Sequence, residues 1–387
     1  MKKWFSLLLA ALMLVTVSAS LAEPTVVNAA EARNVTIHDT GDNAVEPGIS
    51  PTTGLDLTTM DVPDGFVGLA ATGRYTPAVV QIDNTEGGTK NRAPWNASYA
   101  DIVYETPLYK RGSTRITEVF SDLIPDYVGP VRSARVNHVW IREEWDGAFV
   151  FWGGQQYTKT NIYDQFKDLG VNSKGVLYDG TTGAKAWNKY MDHTEVLARP
   201  HNAYAMLAAL MTQVYPQDFE APVHAYQFTD ELPTEGDDAS FIYVKWGDRE
   251  YHSRLEYDEE ENLYYRYISI QPDDLSKAAE LYDDIYPVVK KTDRVIHNNP
   301  ITFSNVIVQF MDIDYPTTDG PLPTVTGSGN AEYFMGGKHI SGVWNRNTLQ
   351  DRTAFYDMNG DEIQLQRGHT LIIMMDYQTE GRSISFE

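Results

Sequence analysis

The run Gly129-Pro130-Val131-Arg132-Ser133-Ala134-Arg135 sets two guanidiniums three residues apart where a turn gives way to a helical repeat. Gly-Pro ends what precedes it. Ser133 is placed to cap a helix in which Val136, Val139 and Trp140 recur at helical spacing. A helix start carries unpaired N–H groups and a partial positive charge. Arg132 and Arg135 on one side of it would make a compact anion receptor. Both arginines would serve equally well as internal partners for the chain's own plentiful carboxylates.

Other polar groups could join them. Asp83-Asn84 ends an apolar strand, and the C-terminal ends of strands line the crevice of an open α/β sheet. An Asx turn closing the strand explains the pair as well. Asp101 and Glu105 fall on one face of a predicted strand, with Arg115 on the next strand as a partner for either. His201-Asn202 precedes a helical pattern, so His201 is an acid–base candidate and Asn202 a cap. His201 fits a structural hydrogen-bonding role too. The nine histidines show no paired spacing, so no metal and no cofactor is expected. Asp357-Met358-Asn359-Gly360-Asp361 opens like a calcium loop, but Gly368 stands where its final glutamate belongs, and an Asn-Gly hairpin accounts for it. Gly-x-Ser-x-Gly, His-Glu-x-x-His and P-loop motifs are missing. Trp152, Trp187 and Trp344 stand beside Gly or Asn, as sugar-stacking platforms or as packed aromatics.

The chain has 387 residues, no cysteine and a formal charge of −23. Disulfides, thiol nucleophiles and thiolate metal sites are excluded. Such charge argues against nucleic acid as a partner, while leaving room for one local basic pocket. Residues 1–22 combine Lys2 and Lys3, an apolar run from Trp4 to Val17, and Ser20-Leu21-Ala22, the pattern of a cleaved signal peptide. The mature chain is then secreted or extracytoplasmic, without a transmembrane segment.

The elements that must position these residues follow from periodicity. Residues 23–74 are rich in Thr, Asp, Gly and Pro and read as a flexible acidic tether. Strands at 78–82, 101–105, 114–120 and 148–152 alternate with helices after Ser133, at 160–169 and after Asn202. This predicts an α/β domain with a central mixed sheet over 75–220. Residues 221–387 read as a β-rich domain with hairpins at Gly336-Gly337 and Asn359-Gly360, interrupted by a helix at 273–285.

The runs Pro77 to Asn84, Ala100 to Glu105 and Gly129 to Arg135, with His201-Asn202-Ala203-Tyr204, Ser304-Asn305-Val306, Gly327 to Ala331, Gly342-Val343-Trp344 and Asn359-Gly360, resemble the YerB-like lipoproteins of Gram-positive bacteria. The resemblance spans about 75–375 and implies a two-domain envelope protein without an established activity. The lipobox cysteine of that family is missing here, and the loop 85–95 is longer and more polar.

Three functions remain open. The first is an envelope binding protein that takes an anionic or saccharide cell-wall ligand through Asp83, Asn84, Arg115, Arg132, Ser133, Arg135, His201 and Asn202. The second is a cell-wall glycan- or peptide-processing enzyme with Asp83, Glu105 or His201 as acid or base and Arg132 stabilising an anion. The third is an interaction protein whose motif residues only lock the fold.

Overall fold

β-Branched and aromatic runs make this a strand-dominated molecule, with 40% strand and 13% helix. The computed structural model describes residues 24–38, 43–84, 94–194, 199–247, 252–269, 279–280, 282–285 and 295–387. The first part of the chain gives β1 (Ala78–Asn84), β2 (Ile102–Pro107), β3 (Thr114–Phe120), helix α1 (Val136–Trp145), β4 (Ala148–Phe151), helix α2 (Ile162–Asp168), β5 (Leu177–Asp179) and helix α3 (Leu207–Gln213). The second gives β6 (Phe241–Trp246), β7 (His252–Asp258), β8 (Leu263–Ser269), β9 (Asn305–Phe310), β10 (Ile313–Thr317), β11 (Gly320–Pro323), β12 (Gly327–Met335), β13 (Lys338–Arg346), β14 (Thr370–Met375) and β15 (Arg382–Phe386).

One mixed sheet runs β13-β12-β9-β14-β2-β3-β1-β4-β5. β14 lies parallel to both β9 and β2, so a strand from the end of the chain joins the two halves. β6, β7, β8 and β15 form a second, antiparallel sheet. The central mixed sheet is thus present, but it is not confined to 75–220. The helical layer is thinner than an α/β fold requires. α1 is its main element and packs Val136, Val139, Ile141 and Trp145 on the face that carries Val79, Tyr104, Val119 and Phe149.

Two expectations are corrected. Residues 279–280 and 282–285 of the expected helix at 273–285 are strands, and 273–278 lie outside the described residues. The segment expected as a tether is packed onto the body. Thr25 and Val26 pair with β15, and Arg33 donates to the carbonyls of Ala331 and Gly342, both at 2.8 Å. Ser50, Thr52 and Thr53 are buried, and the Thr52 and Thr53 hydroxyls donate to the carboxylates of Asp101 and Asp122. Polar composition did not prevent docking because the body supplies buried acceptors for those hydroxyls. Residues 1–22 lie outside the described residues.

The Gly336-Gly337 hairpin forms with φ of 58° and 71°, the double positive geometry that glycine tolerates. At Asn359-Gly360 only Gly360 is left-handed, with φ 89°.

Candidate functional site

From Val80 to Asp83, β1 alternates apolar and polar residues, and a strand sends neighbours to opposite faces. Asp83 therefore joins the face that α1 covers, while Asn84 joins the other. Register pairs Asp83 with Arg115 on β3, and Arg115 with Thr106 on β2. This polar row crosses three strands beneath the start of α1. Arg115 donates from Nη1 to Asp83 Oδ1 at 3.2 Å. Both side chains are almost wholly buried. Burial, with the like charges of Arg132 and Arg135 added, pulls the Arg115 pKa down to about 9, against the opposing pull of Asp83.

The Arg motif closes this row from above. Arg132 and Arg135 are not on a helical turn, because α1 starts at Val136. Residues 130–132 instead extend along the edge of β1 that β4 leaves open. The Asp83 N–H donates to the Pro130 carbonyl at 2.9 Å and the Arg132 N–H to the Gln81 carbonyl at 2.8 Å. This brings Arg132 Nε to 3.6 Å from Asp83 Oδ1, with the Arg132 side chain 19% exposed. His201 Nδ1 is hydrogen-bonded to Asp83 Oδ2, so one carboxylate gathers Arg115, Arg132 and His201. Arg132 also donates to the Pro200 carbonyl at 3.3 Å, tying the His201 loop to the motif.

Arg135 turns the other way. Its Nη2 donates to Asp319 Oδ2 and its Nε to the Asp319 carbonyl, each at 2.8 Å. Gln155 Nε2 donates to Asp319 Oδ1 at 2.6 Å. Asp319 sits in the turn between β10 and β11. Burial lowers the Arg135 pKa, and Asp319 works against that.

Several expected site residues do other work. Glu105 is fully buried on the opposite face, where Oε1 accepts from Asn84 at 3.2 Å and Thr114 at 2.8 Å, and Oε2 accepts from Arg266 at 2.6 Å. Arg115 thus pairs with Asp83 rather than with Asp101 or Glu105. Asp101 belongs to a separate buried cluster with Asp122. Ser133 does not cap α1, since its hydroxyl donates to the Trp152 carbonyl at 3.2 Å. Asn202 does not cap α3, whose N-cap is Met206; its amide donates to the Thr194 carbonyl at 2.9 Å. Of the tryptophans singled out, Trp344 is buried, donating to the Phe310 carbonyl at 2.7 Å. Residues 85–93 of the polar loop lie outside the described residues.

Sequence reasoning missed His138, which sits three residues past the N-cap of α1. Its Nδ1 accepts the Arg135 backbone N–H at 3.0 Å, so the ring proton is on Nε2, which faces Thr106 Oγ1 at 3.2 Å. Burial first, then Arg135 and Arg115, pushes its pKa well down and keeps it neutral. Its spacing from Arg135 was the available signal. Asp319 and Arg266 gave none, because each lies more than 150 positions from its partner.

Family models match the chain twice. Residues 67–220 match the "Protein of unknown function (DUF3048) N-terminal domain", and residues 242–372 match the corresponding C-terminal domain. The models divide the chain near 220–242, whereas the mixed sheet continues across that point. The chain is 26% identical over 236 residues to "Putative lipoprotein YerB" of Bacillus subtilis (strain 168), covering 60% of this chain and 61% of that protein. The crystal structure of the YerB protein from Bacillus subtilis aligns with a TM-score of 0.63 at 20% identity, over 87% of this chain and 99% of that one. Among the described residues, no helix is long and apolar enough to cross a membrane.

Proposed function

The chain belongs to the two-domain DUF3048 family, and on that premise we propose that it is an extracytoplasmic envelope protein that binds an anion where Asp83, Arg115, Arg132 and His201 meet, beside Arg135. The observation that carries this reading is the charge around Arg115. Its buried guanidinium feels Arg132 and Arg135 as like charges, and among the described residues the carboxylate set against both Arg115 and Arg132 is that of Asp83. An acidic protein that concentrates guanidiniums in a partly desolvated place gains from an added anion there. The extracytoplasmic placement rests on residues 1–22 and on likeness to a protein named as a lipoprotein. The absence of cysteine speaks against lipid attachment through a thiol.

A second reading has its own observation. His201 Nδ1 on a buried carboxylate is the arrangement that fixes an imidazole tautomer for acid–base work at Nε2. Glu105 takes no part in it, being locked to Arg266.

The test is a thermal-shift titration of the full chain with inorganic phosphate at constant ionic strength. A ligand that binds only the folded chain raises the melting temperature. The rise is expected in the wild type and absent in a folded Arg132→Ala variant. No rise in the wild type would end the anion reading.

A further inference from the structure

The geometry points to an anionic saccharide as the ligand, its charged group at the arginines and its sugar in the groove beside them. This rests on the anion site proposed above and names its substrate class. A groove of about 810 Å³ lies between the loop that joins β2 to β3 and the hairpin of β10 and β11. Its walls include Tyr109, Lys110, Ser113, Tyr315, Thr317 and Thr318. That volume is toward the upper end of small-molecule sites, which run to about 1,000 Å³. A lone phosphate or carboxylate would leave most of it empty.

The lining chemistry narrows the occupant. Phenols, hydroxyls and the cationic heads of Lys110 and Arg111 offer hydrogen bonds to a ring bearing several hydroxyl groups, the phenols and hydroxyls in both directions. They do not suit an acyl chain, which would strand those groups without partners. Tyr315 is a rigid wall, because Arg382 donates to its hydroxyl at 2.8 Å and lies 5.6 Å from its ring centre. A fixed aromatic face of this kind binds a sugar at little entropic cost.

The groove and the cationic cluster share their boundary. Tyr109 is close enough to Arg115 and Arg135 to act on both guanidiniums. Across the groove, Thr317 and Asp319 both meet Gln155, and Asp319 holds Arg135. One ligand can therefore reach both regions. Arg115, Arg132 and Arg135 face the carboxylates of Asp83 and Asp319, and Lys110 and Arg111 line the groove, so the surroundings favour a sugar that carries a negative group.

The test compares four probes by calorimetric titration of the full chain: inorganic phosphate, glucose 1-phosphate, glucuronate and neutral methyl glucoside. Glucose 1-phosphate or glucuronate is expected to bind at least tenfold more tightly than inorganic phosphate, and methyl glucoside not to bind measurably. Which of the two wins identifies the source of the charge. Tyr109→Ala should bring the anionic sugars down to the affinity of inorganic phosphate. Arg132→Ala should weaken every anionic probe. If Tyr109→Ala does not fold, Thr318→Trp, placed at an exposed position, fills the groove and should remove the same gain. Phosphate binding without any gain from the sugar overturns this inference and leaves the anion site standing. No binding by phosphate or either anionic sugar overturns both.

Discussion

Asp83 and Arg115 face each other across adjacent strands, with carboxylate and guanidinium 3.2 Å apart and both side chains shut away from solvent. Removing one partner of such a pair leaves an uncompensated buried charge. Asp83→Asn is therefore expected to cost about 3–5 kcal/mol of stability. A double change to Asp83→Leu and Arg115→Met should recover much of that loss, because it removes both charges. Urea unfolding of the single and double variants checks this. A single variant as stable as the wild type would mean that Arg115 draws its compensation from elsewhere.

Glu105 and Arg266 make the same argument on the opposite face. Glu105 Oε2 accepts from Arg266 at 2.6 Å, and the partners belong to β2 and β8, in different sheets. Glu105→Gln should therefore loosen the contact between the two sheets, again by about 3–5 kcal/mol. It should leave phosphate binding by the folded fraction unchanged. A loss of binding at full stability would return Glu105 to the site.

Gly360 is expected to be intolerant of any side chain. Its φ is 89°, and a Cβ there would fall 1.9 Å from the Thr36 carbonyl oxygen. Gly360→Val thus adds backbone strain and a clash with the docked N-terminal segment, about 1–3 kcal/mol for each. The lowered midpoint should come with faster proteolysis near residue 36. Unaltered cleavage there would separate the turn from the docking.

How much of this was legible depends on distance along the chain. The strands that became β1, β2, β3 and β4 follow from local apolar runs, and the Gly336-Gly337 turn from two adjacent glycines. The crevice reading of the sequence puts Asp83 and Asn84 together, although a strand must point them to opposite faces. That error was avoidable. The insertion of β14 between β9 and β2 was not, since parallel neighbours far apart in sequence leave no local trace. Arg135 and Asp319 meet for the same long-range reason. Residues 23–74 misled because composition reports what a segment can bury alone, whereas Thr52 and Thr53 dock on acids that the body buries for them.

Those acids should make stability depend on pH. Burial first, and then the charge of Asp122, pushes the Asp101 pKa well up, and burial also raises that of Asp122. Between the ordinary carboxylate value near 3.9 and the raised values, the folded chain holds more protons than the unfolded one. The pair's contribution is then full below that ordinary value and is lost as pH rises through the raised ones. Asp101→Asn should remove part of this slope. Unfolding free energies of variant and wild type at several pH values give the difference directly, and parallel curves would show that Asp101 does not titrate in the window.

His138 should act with the opposite sign. It is fully buried, accepts the Arg135 N–H, and stands close enough to Arg135 and Arg115 to feel both charges. Its folded pKa therefore lies well below 6.5, while the unfolded chain protonates it in the ordinary range. Its contribution is present above pH 6.5 and is lost as pH falls toward the folded value, because the unfolded chain then binds the extra proton. His138→Gln keeps a side-chain acceptor for the N-cap but cannot titrate. The difference in stability between wild type and variant should move in favour of the variant as pH is lowered from 7 toward 5. A difference that stayed constant with pH would show that His138 enters the folded chain without a proton penalty, and that neither its burial nor the neighbouring arginines hold its pKa down.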